Sequence, residues 1–233
     1  MSALRVLIPT YVPRTLGLST SDAAHALSPQ TVRTIDDLMA IGAISRSDVL
    51  VHENCALLVQ SRADLLARAY ADPSVEEFLF LDDDIGVGAG AVQALRELNL
   101  LSVGCGYTGR TSELTDKVLG MAADPCEILT VNDRRLLKMR WMAFGCMLLR
   151  REAIDRLYAS CEHHRTETGH YDAISPWTPL VRDIKGVPRL LDEGYSCCER
   201  LSEVGVTTWC FLDAIVSHAG RPCFAGSMFP VTG

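Results

Sequence analysis

The chain has 233 residues, of which 22 are basic and 29 acidic, giving a formal charge of −7 and a pI near 5.4. That balance argues against a protein held on nucleic acid mainly by non-specific electrostatics. The length suffices for one well-buried domain, and 48% hydrophobic with 22% charged residues is an ordinary globular composition. No apolar run approaches the roughly 20 residues of a membrane span, and the opening residues lack the features of a signal peptide. A soluble, cytoplasmic protein with no membrane partner is expected. Nine cysteines, an odd number with no CxxC pair, read as reduced thiols rather than disulfides or a structural zinc site. Cys55, Cys105, Cys126, Cys146 and Cys210 lie in apolar segments and are expected to be buried. Cys161-Glu162-His163-His164 reads as an exposed polar helix end.

In chain order, residues 4–8 form a first strand that ends at Thr10-Tyr11. Ser28-Pro29 has the form of an N-cap with proline at the first helical position, and Val32, Ile35, Leu38 and Met39 supply helical spacing up to Gly42. Residues 48–52 read as a second strand and 55–71 as a helix with Leu58, Leu65, Leu66 and Ala69 on its apolar face. Residues 78–81, Phe-Leu-Phe-Leu, read as a strand buried on both faces. A helix through Val92, Leu95 and Leu98 and a strand over 101–107 follow. This alternation predicts a mostly parallel sheet covered on both sides, whose ligands bind beyond the carboxyl ends of the strands. Residues 118–140 read as irregular or antiparallel strands, and 141–149 as near-continuous apolar sequence before a helix through Ala153, Ile154, Leu157 and Tyr158. Residues 162–188 read as a surface loop over the site. A short helix through Tyr195, Cys198 and Leu201 follows, with a last strand at 207–211 and residues 215–218 at its edge. Neither GxGxxG nor GxxxxGK[ST] follows any strand, which excludes the dinucleotide and P-loop units. No linker splits the chain, so one domain over 1–233 is expected, with a nucleotide-binding half (1–110) and an acceptor half (111–233).

The informative segment is Asp82-Asp83-Asp84, where the 78–81 strand leaves the sheet. Three adjacent carboxylates repel one another, and a divalent cation is an economical compensation. In extended chain Asp82 and Asp84 point to the same side and would share one metal. The alternative is a solvated acidic turn at a helix N-terminus.

Six segments, in order, resemble motifs of the GT-A fold glycosyltransferases, particularly the inverting family 2 type. Ile8-Pro9-Thr10-Tyr11 is similar to the opening "PTYN" strand, and Ser61-Arg62-Ala63-Asp64-Leu65-Leu66 to the "ARNxLa" helix. Phe80-Leu81-Asp82-Asp83-Asp84 is similar to the DxD strand, and Phe144 to Arg151 to the "GxGfmLirR" segment. Glu193 to Arg200 follows "EDyxFCxR", and Ser217-His218-Ala219-Gly220 the terminal "gHvG". The resemblance implies a GT-A fold, Rossmann-like with a smaller mixed acceptor-side sheet, and sugar transfer from a UDP- or GDP-sugar to a hydroxyl acceptor. It places the donor against Thr10, Tyr11, Arg62, Asp82 and Asp83, with Mn²⁺ or Mg²⁺ on Asp82, Asp84 and His218. Trp141, Phe144 and Gly145 would line the acceptor side. The family's catalytic aspartate is replaced by Gly194, so Glu193 is the first candidate base and Asp192 the second.

The acceptor is open among carbohydrate, protein and DNA. Compact GT-A enzymes of this kind resemble those that modify 5-hydroxymethylcytosine in phage DNA. The basic cluster Arg134, Arg135, Lys138 and Arg140 beside Trp141 offers a place for a phosphate backbone or a stacked base. A non-catalytic nucleotide-sugar binding protein is the other alternative, motivated by Gly194.

Overall fold

The structure is a computed structural model and describes residues 3–10, 27–52, 57–108, 119–166, 168–219 and 224–226. The first half builds β1 (Ala3–Pro9), α1 (Pro29–Ala40), β2 (Val49–His52), α2 (Leu58–Tyr70), β3 (Val75–Leu81), β4 (Ile85–Val87), α3 (Ala89–Glu97) and β5 (Ser102–Cys105). The second half adds β6 (Gly120–Ala122), β7 (Ile128–Val131), β8 (Arg134–Met142), β9 (Cys146–Arg150), α4 (Arg151–Ser160), β10 (His163–Arg165) and β11 (Asp172–Ile174). It continues through β12 (Val181–Ile184), β13 (Val187–Leu190), α5 (Glu193–Glu203), β14 (Thr208–Phe211), β15 (Val216–His218) and β16 (Phe224–Gly226).

The main sheet runs β2-β1-β3-β9-β5-β14-β8-β6, with β7 also paired to β8. β1 is parallel to β2 and β3, and β5 is parallel to β14, while β9 and β8 run against their neighbours. Hence β1, β2, β3, β5 and β14 all end at one edge. The chain's two halves share this sheet, because β9 lies between β3 and β5.

Side-chain alternation along the central strands feeds two cores. Leu4, Val6, Ile8, Leu79 and Leu81 pack with Ile35 and Leu38 of α1 and Val92 and Leu95 of α3. Leu7, Phe78 and Phe80 face the other way, onto Leu65 and Leu66 of α2, Ile154 and Leu157 of α4, and Leu201 of α5. The 78–81 strand is therefore buried on both faces, as its unbroken apolar run requires. Among the described residues no helix is long and apolar enough to cross a membrane.

Several expectations need correcting. The apolar run 141–149 is the end of β8, a turn at 143–145, and β9. Residues 162–188 are not a plain loop: they include β10 paired with β11 and most of the β12–β13 hairpin. Between those hairpins Trp177 is fully buried, 5.1 Å from Phe80 and 5.6 Å from Phe144 between ring centroids. Residues 216–218 do not edge the last strand but form a separate three-stranded sheet with β4 and β16. Cys126 is exposed, whereas Cys105, Cys146 and Cys210 are buried free thiols; Cys55 lies outside the described residues. Glu77, which flanks the apolar run, is 1% exposed because Arg96 (2.7 Å) and Arg150 (3.2 Å) pair with it. A buried carboxylate demands such partners.

The basic cluster is neutralised by its own neighbours. Arg134 pairs with Glu97, Arg135 with Asp213, Lys138 with Glu127, and Arg140 with Glu199. Trp141 is 2% exposed; its indole N–H donates to Glu199, while Arg140 and Tyr195 cover its ring. Burial raises the Glu199 pKa, but hydrogen bonds from Trp141, Arg182 and Arg140 outweigh it and hold the carboxyl below its ordinary value. A depressed folded-state pKa contributes stability above the unfolded value, and that contribution disappears as pH falls through the folded one. Glu199→Gln is expected to cost about 1–3 kcal/mol at pH 7. In urea denaturation the gap to the natural chain should shrink below about pH 4; a gap independent of pH would contradict this account.

Candidate functional site

The site forms where β1, β2, β3 and β5 leave the sheet. After β3 the chain does not stay extended. The Ile85 N–H donates to the Asp82 carbonyl at 3.1 Å, which turns the chain at Asp83 and Asp84 and starts β4. The turn is anchored on several sides. The Ser28 N–H donates to the Asp83 carbonyl (2.8 Å) and the Ala219 N–H to the Asp84 carbonyl (2.7 Å). From α1, the buried Thr31 hydroxyl donates to the Ile85 carbonyl and the Thr34 hydroxyl accepts the Val87 N–H, each at 2.9 Å. Gly86 permits this approach, since a Cβ there would lie 2.5 Å from both Gln30 Cβ and Ser217 Oγ.

The chain turns at Asp83 and Asp84 instead of running on extended, as the same-side argument assumes. Asp82 Oδ1 accepts from Arg62 at 2.7 Å. Asp82 Oδ2 lies 2.9 Å from where a Gly145 Cβ would be, and the Asp82 N–H donates to the Gly145 carbonyl. Asp84 lies beside His218. Antiparallel pairing of β4 with β15 sets His218 opposite Ile85, which brings His218 Nε2 to 3.5 Å from Asp84 Oδ2. His218 Nδ1 lies 2.9 Å from the Thr108 carbonyl oxygen and can only donate to it. That bond places the proton on Nδ1 and leaves Nε2 as the ring nitrogen turned toward Asp84, the orientation of a metal-ligating histidine.

Asp84 and His218 fit a divalent cation: hard oxygen and imidazole nitrogen side by side, with the remaining positions left for phosphate and water. Asp82 gives one carboxylate oxygen, Oδ1, to Arg62. Among the described residues no group of three or more His, Cys, Asp or Glu side chains has metal-holding geometry.

Across the cleft, Glu193 opens α5 and Asp192 caps it. Asp192 Oδ1 accepts the Tyr195 N–H at 2.8 Å, and partial burial first, then the neighbouring Glu193 charge, raises its pKa. Glu193 instead faces inward, with Oε1 at 3.4 Å from Arg62. Gly194 packs onto the turn between β8 and β9: a Cβ there would be 3.1 Å from the Met142 carbonyl oxygen and 3.2 Å from the Phe144 nitrogen. A side chain here would need that backbone to shift by a few tenths of an ångström.

Arg62 is 1% exposed and sits 5.6 Å from the Phe144 ring centroid. Burial alone would lower its pKa, but Asp82 and Glu193 reverse the direction. Its guanidinium lies beneath these two carboxylates. Trp141 and Phe144, each 2% exposed, present no open ring face. Thr10 is 3% exposed at the end of β1, and its Oγ1 has no hydrogen-bond partner among the described residues. Tyr11 lies outside the described residues.

Tyr107 sits at a strand exit, where the strand pattern puts ligands, but its part and that of the Thr108 carbonyl have no further signal in the sequence. The Tyr107 hydroxyl accepts the Gly145 N–H at 3.0 Å, and its ring meets His218 edge-on at 5.2 Å. Burial first, then the Asp82 charge, pushes its pKa far up, so the hydroxyl stays neutral.

No protein-family model matches this chain, and no curated protein does. Solved structures do match. A197 from STIV aligns at 13% identity with a TM-score of 0.55, covering 98% of this chain and 91% of that one. A glycosyltransferase involved in the glycosylation of the major capsid of PBCV-1 aligns at 13% identity with a TM-score of 0.35 over 66% of this chain and 62% of that one. The first likeness is one of fold; the second is too loose to bear on the reaction. The sheet, its helical layers and the strand-exit cleft make a mixed α/β architecture consistent with a GT-A-like, Rossmann-type fold.

Gly145 lets Asp82 and Tyr107 approach each other, since a Cβ would fall 2.4 Å from Tyr107 Oη. Gly145→Ala is expected to destabilise the protein by about 1–3 kcal/mol, read as a lower midpoint in chemical denaturation. An unchanged midpoint would show that this packing is looser than described.

Proposed function

We propose that this protein is a metal-dependent glycosyltransferase that moves a sugar from a UDP- or GDP-sugar to a hydroxyl acceptor. The observation that carries the reading is the Asp84–His218 pair, with His218 held by the Thr108 carbonyl, at a strand-exit cleft that also presents Glu193. The six ordered motif resemblances support the same reaction class.

Mn²⁺ or Mg²⁺ on Asp84 and His218 would neutralise the charge gathering on the departing diphosphate, a contribution of several kcal/mol. Glu193 is the general base. Its carboxylate takes the acceptor proton as the acceptor oxygen bonds to the anomeric carbon and the bond to the diphosphate oxygen breaks. A single displacement of this kind inverts the anomeric centre. Asp192 serves as the helix cap beside the base. The unsatisfied Thr10 hydroxyl at the end of β1 is assigned to the nucleoside, together with Tyr11, which follows it in sequence, and Asp83 of the acidic turn. Phe144 and Gly145 form the wall under the reacting groups.

Glu193 at the cleft favours catalysis over binding alone, and the pairing of Arg134, Arg135, Lys138 and Arg140 with acidic neighbours favours a carbohydrate or protein acceptor over DNA.

The test is hydrolysis or transfer from a panel of nucleotide-sugars with Mn²⁺. Asp84→Ala and His218→Ala should each abolish the metal-stimulated rate. Glu193→Gln should lower kcat by about 10²–10⁴-fold with donor binding retained. No turnover and no metal-dependent donor binding across a broad panel would refute the proposal.

A further inference from the structure

A buried cation spans the two carboxylates that face the cleft from opposite sides. Arg62 donates to Asp82 at 2.7 Å and lies 3.4 Å from Glu193. Its side chain is 1% exposed, against 22% for Asp82 and 34% for Glu193. A ligand in the cleft therefore reaches the carboxylates and not the guanidinium beneath them. Asp82 is fixed in turn by its backbone bond to Gly145, and the first turn of α5 rests, through Gly194, on the neighbouring Met142–Phe144 backbone.

A glutamate at the first position of a helix has three side-chain torsions to sweep, and a base that drifts from its proton loses rate steeply. We propose that Arg62 is a positioning residue: it contacts no donor and, braced by Asp82, holds the Glu193 carboxylate toward the acceptor. The first aspartate of the acidic triplet then serves the base rather than the cation. This rests on the glycosyltransferase reading and adds a division of labour within the triplet: Asp84 to the metal side, Asp82 to the acceptor side.

The experiment compares Arg62→Met, Arg62→Lys and Asp82→Asn with the natural chain. Calorimetric binding of Mn²⁺ with UDP or GDP is measured alongside kcat and donor KM. Arg62→Met and Asp82→Asn should lower kcat by about 10²-fold while diphosphate affinity and KM stay within about threefold. Arg62→Lys, which keeps one charged anchor, should recover part of the loss. A loss of diphosphate affinity matching the loss of kcat would overturn the proposal, because Arg62 would then act on the donor. If Arg62→Met fails to fold, Asp82→Asn and Arg62→Lys carry the same comparison.

If the natural chain neither binds a nucleoside diphosphate nor turns over a donor, the glycosyltransferase reading fails. The positioning role is then read from amide exchange at Tyr195 and Ser196, whose N–H groups close the first turn of α5. Exchange at least tenfold faster in Asp82→Asn, with the β1 amides unchanged, supports the role. Unchanged exchange overturns it.

Discussion

The site depends on one buried guanidinium. Arg62 carries its charge where burial disfavours it, and the arrangement holds because Asp82 and Glu193 answer that charge from two sides. Removing Arg62 would leave both carboxylates without their shared partner, whereas removing either carboxylate leaves the guanidinium one partner in place of two. The same contacts decide what the other acidic residues do. With Asp82 committed to Arg62, Asp84 is the member of the triplet that turns to His218, and with Asp192 committed to capping, Glu193 faces the cleft.

The fold places these groups by ordinary means. The commonly directed strands put Thr10, His52, Asp82 and Tyr107 at or just beyond one sheet edge. Two short elements do the finer work. β4 and β15 pair so that residues 84 and 218, far apart in sequence, become neighbours. The Ala143-Phe144-Gly145 turn lets Asp82, Tyr107 and the start of α5 converge on one backbone segment.

Much of the frame is readable from residues alone. The unbroken apolar run of β3, the Ser28-Pro29 cap and the spacing of Ala153, Ile154, Leu157 and Tyr158 each point to the element that forms. The antiparallel insertion of β9 is not readable, because strand order depends on pairing between distant segments. The β12–β13 hairpin is exposed along most of its length and lacks a buried alternation. Its cue was Lys185-Gly186, both with positive φ, the kind of pair that closes a two-residue hairpin. Within the site, residue types were legible and directions were not. The same-side argument for Asp82 and Asp84 assumes extended chain, and the backbone turns there. Arg62 stood out only by resemblance, since nothing in a helix sequence distinguishes a buried arginine from a solvated one. Gly194 read as a missing base, and its close packing on the Met142–Phe144 backbone is a second reason for glycine that sequence does not show.

The central claim is that Asp84 and His218 hold the cation while Asp82 stays on Arg62. A crystal grown with Mn²⁺ and a nucleoside diphosphate sugar, measured at the manganese edge, tests it most directly. The account predicts an anomalous peak bonded to Asp84 and His218, with the Asp82–Arg62 pair intact. A peak bonded to Asp82, or one seated away from His218, would contradict it.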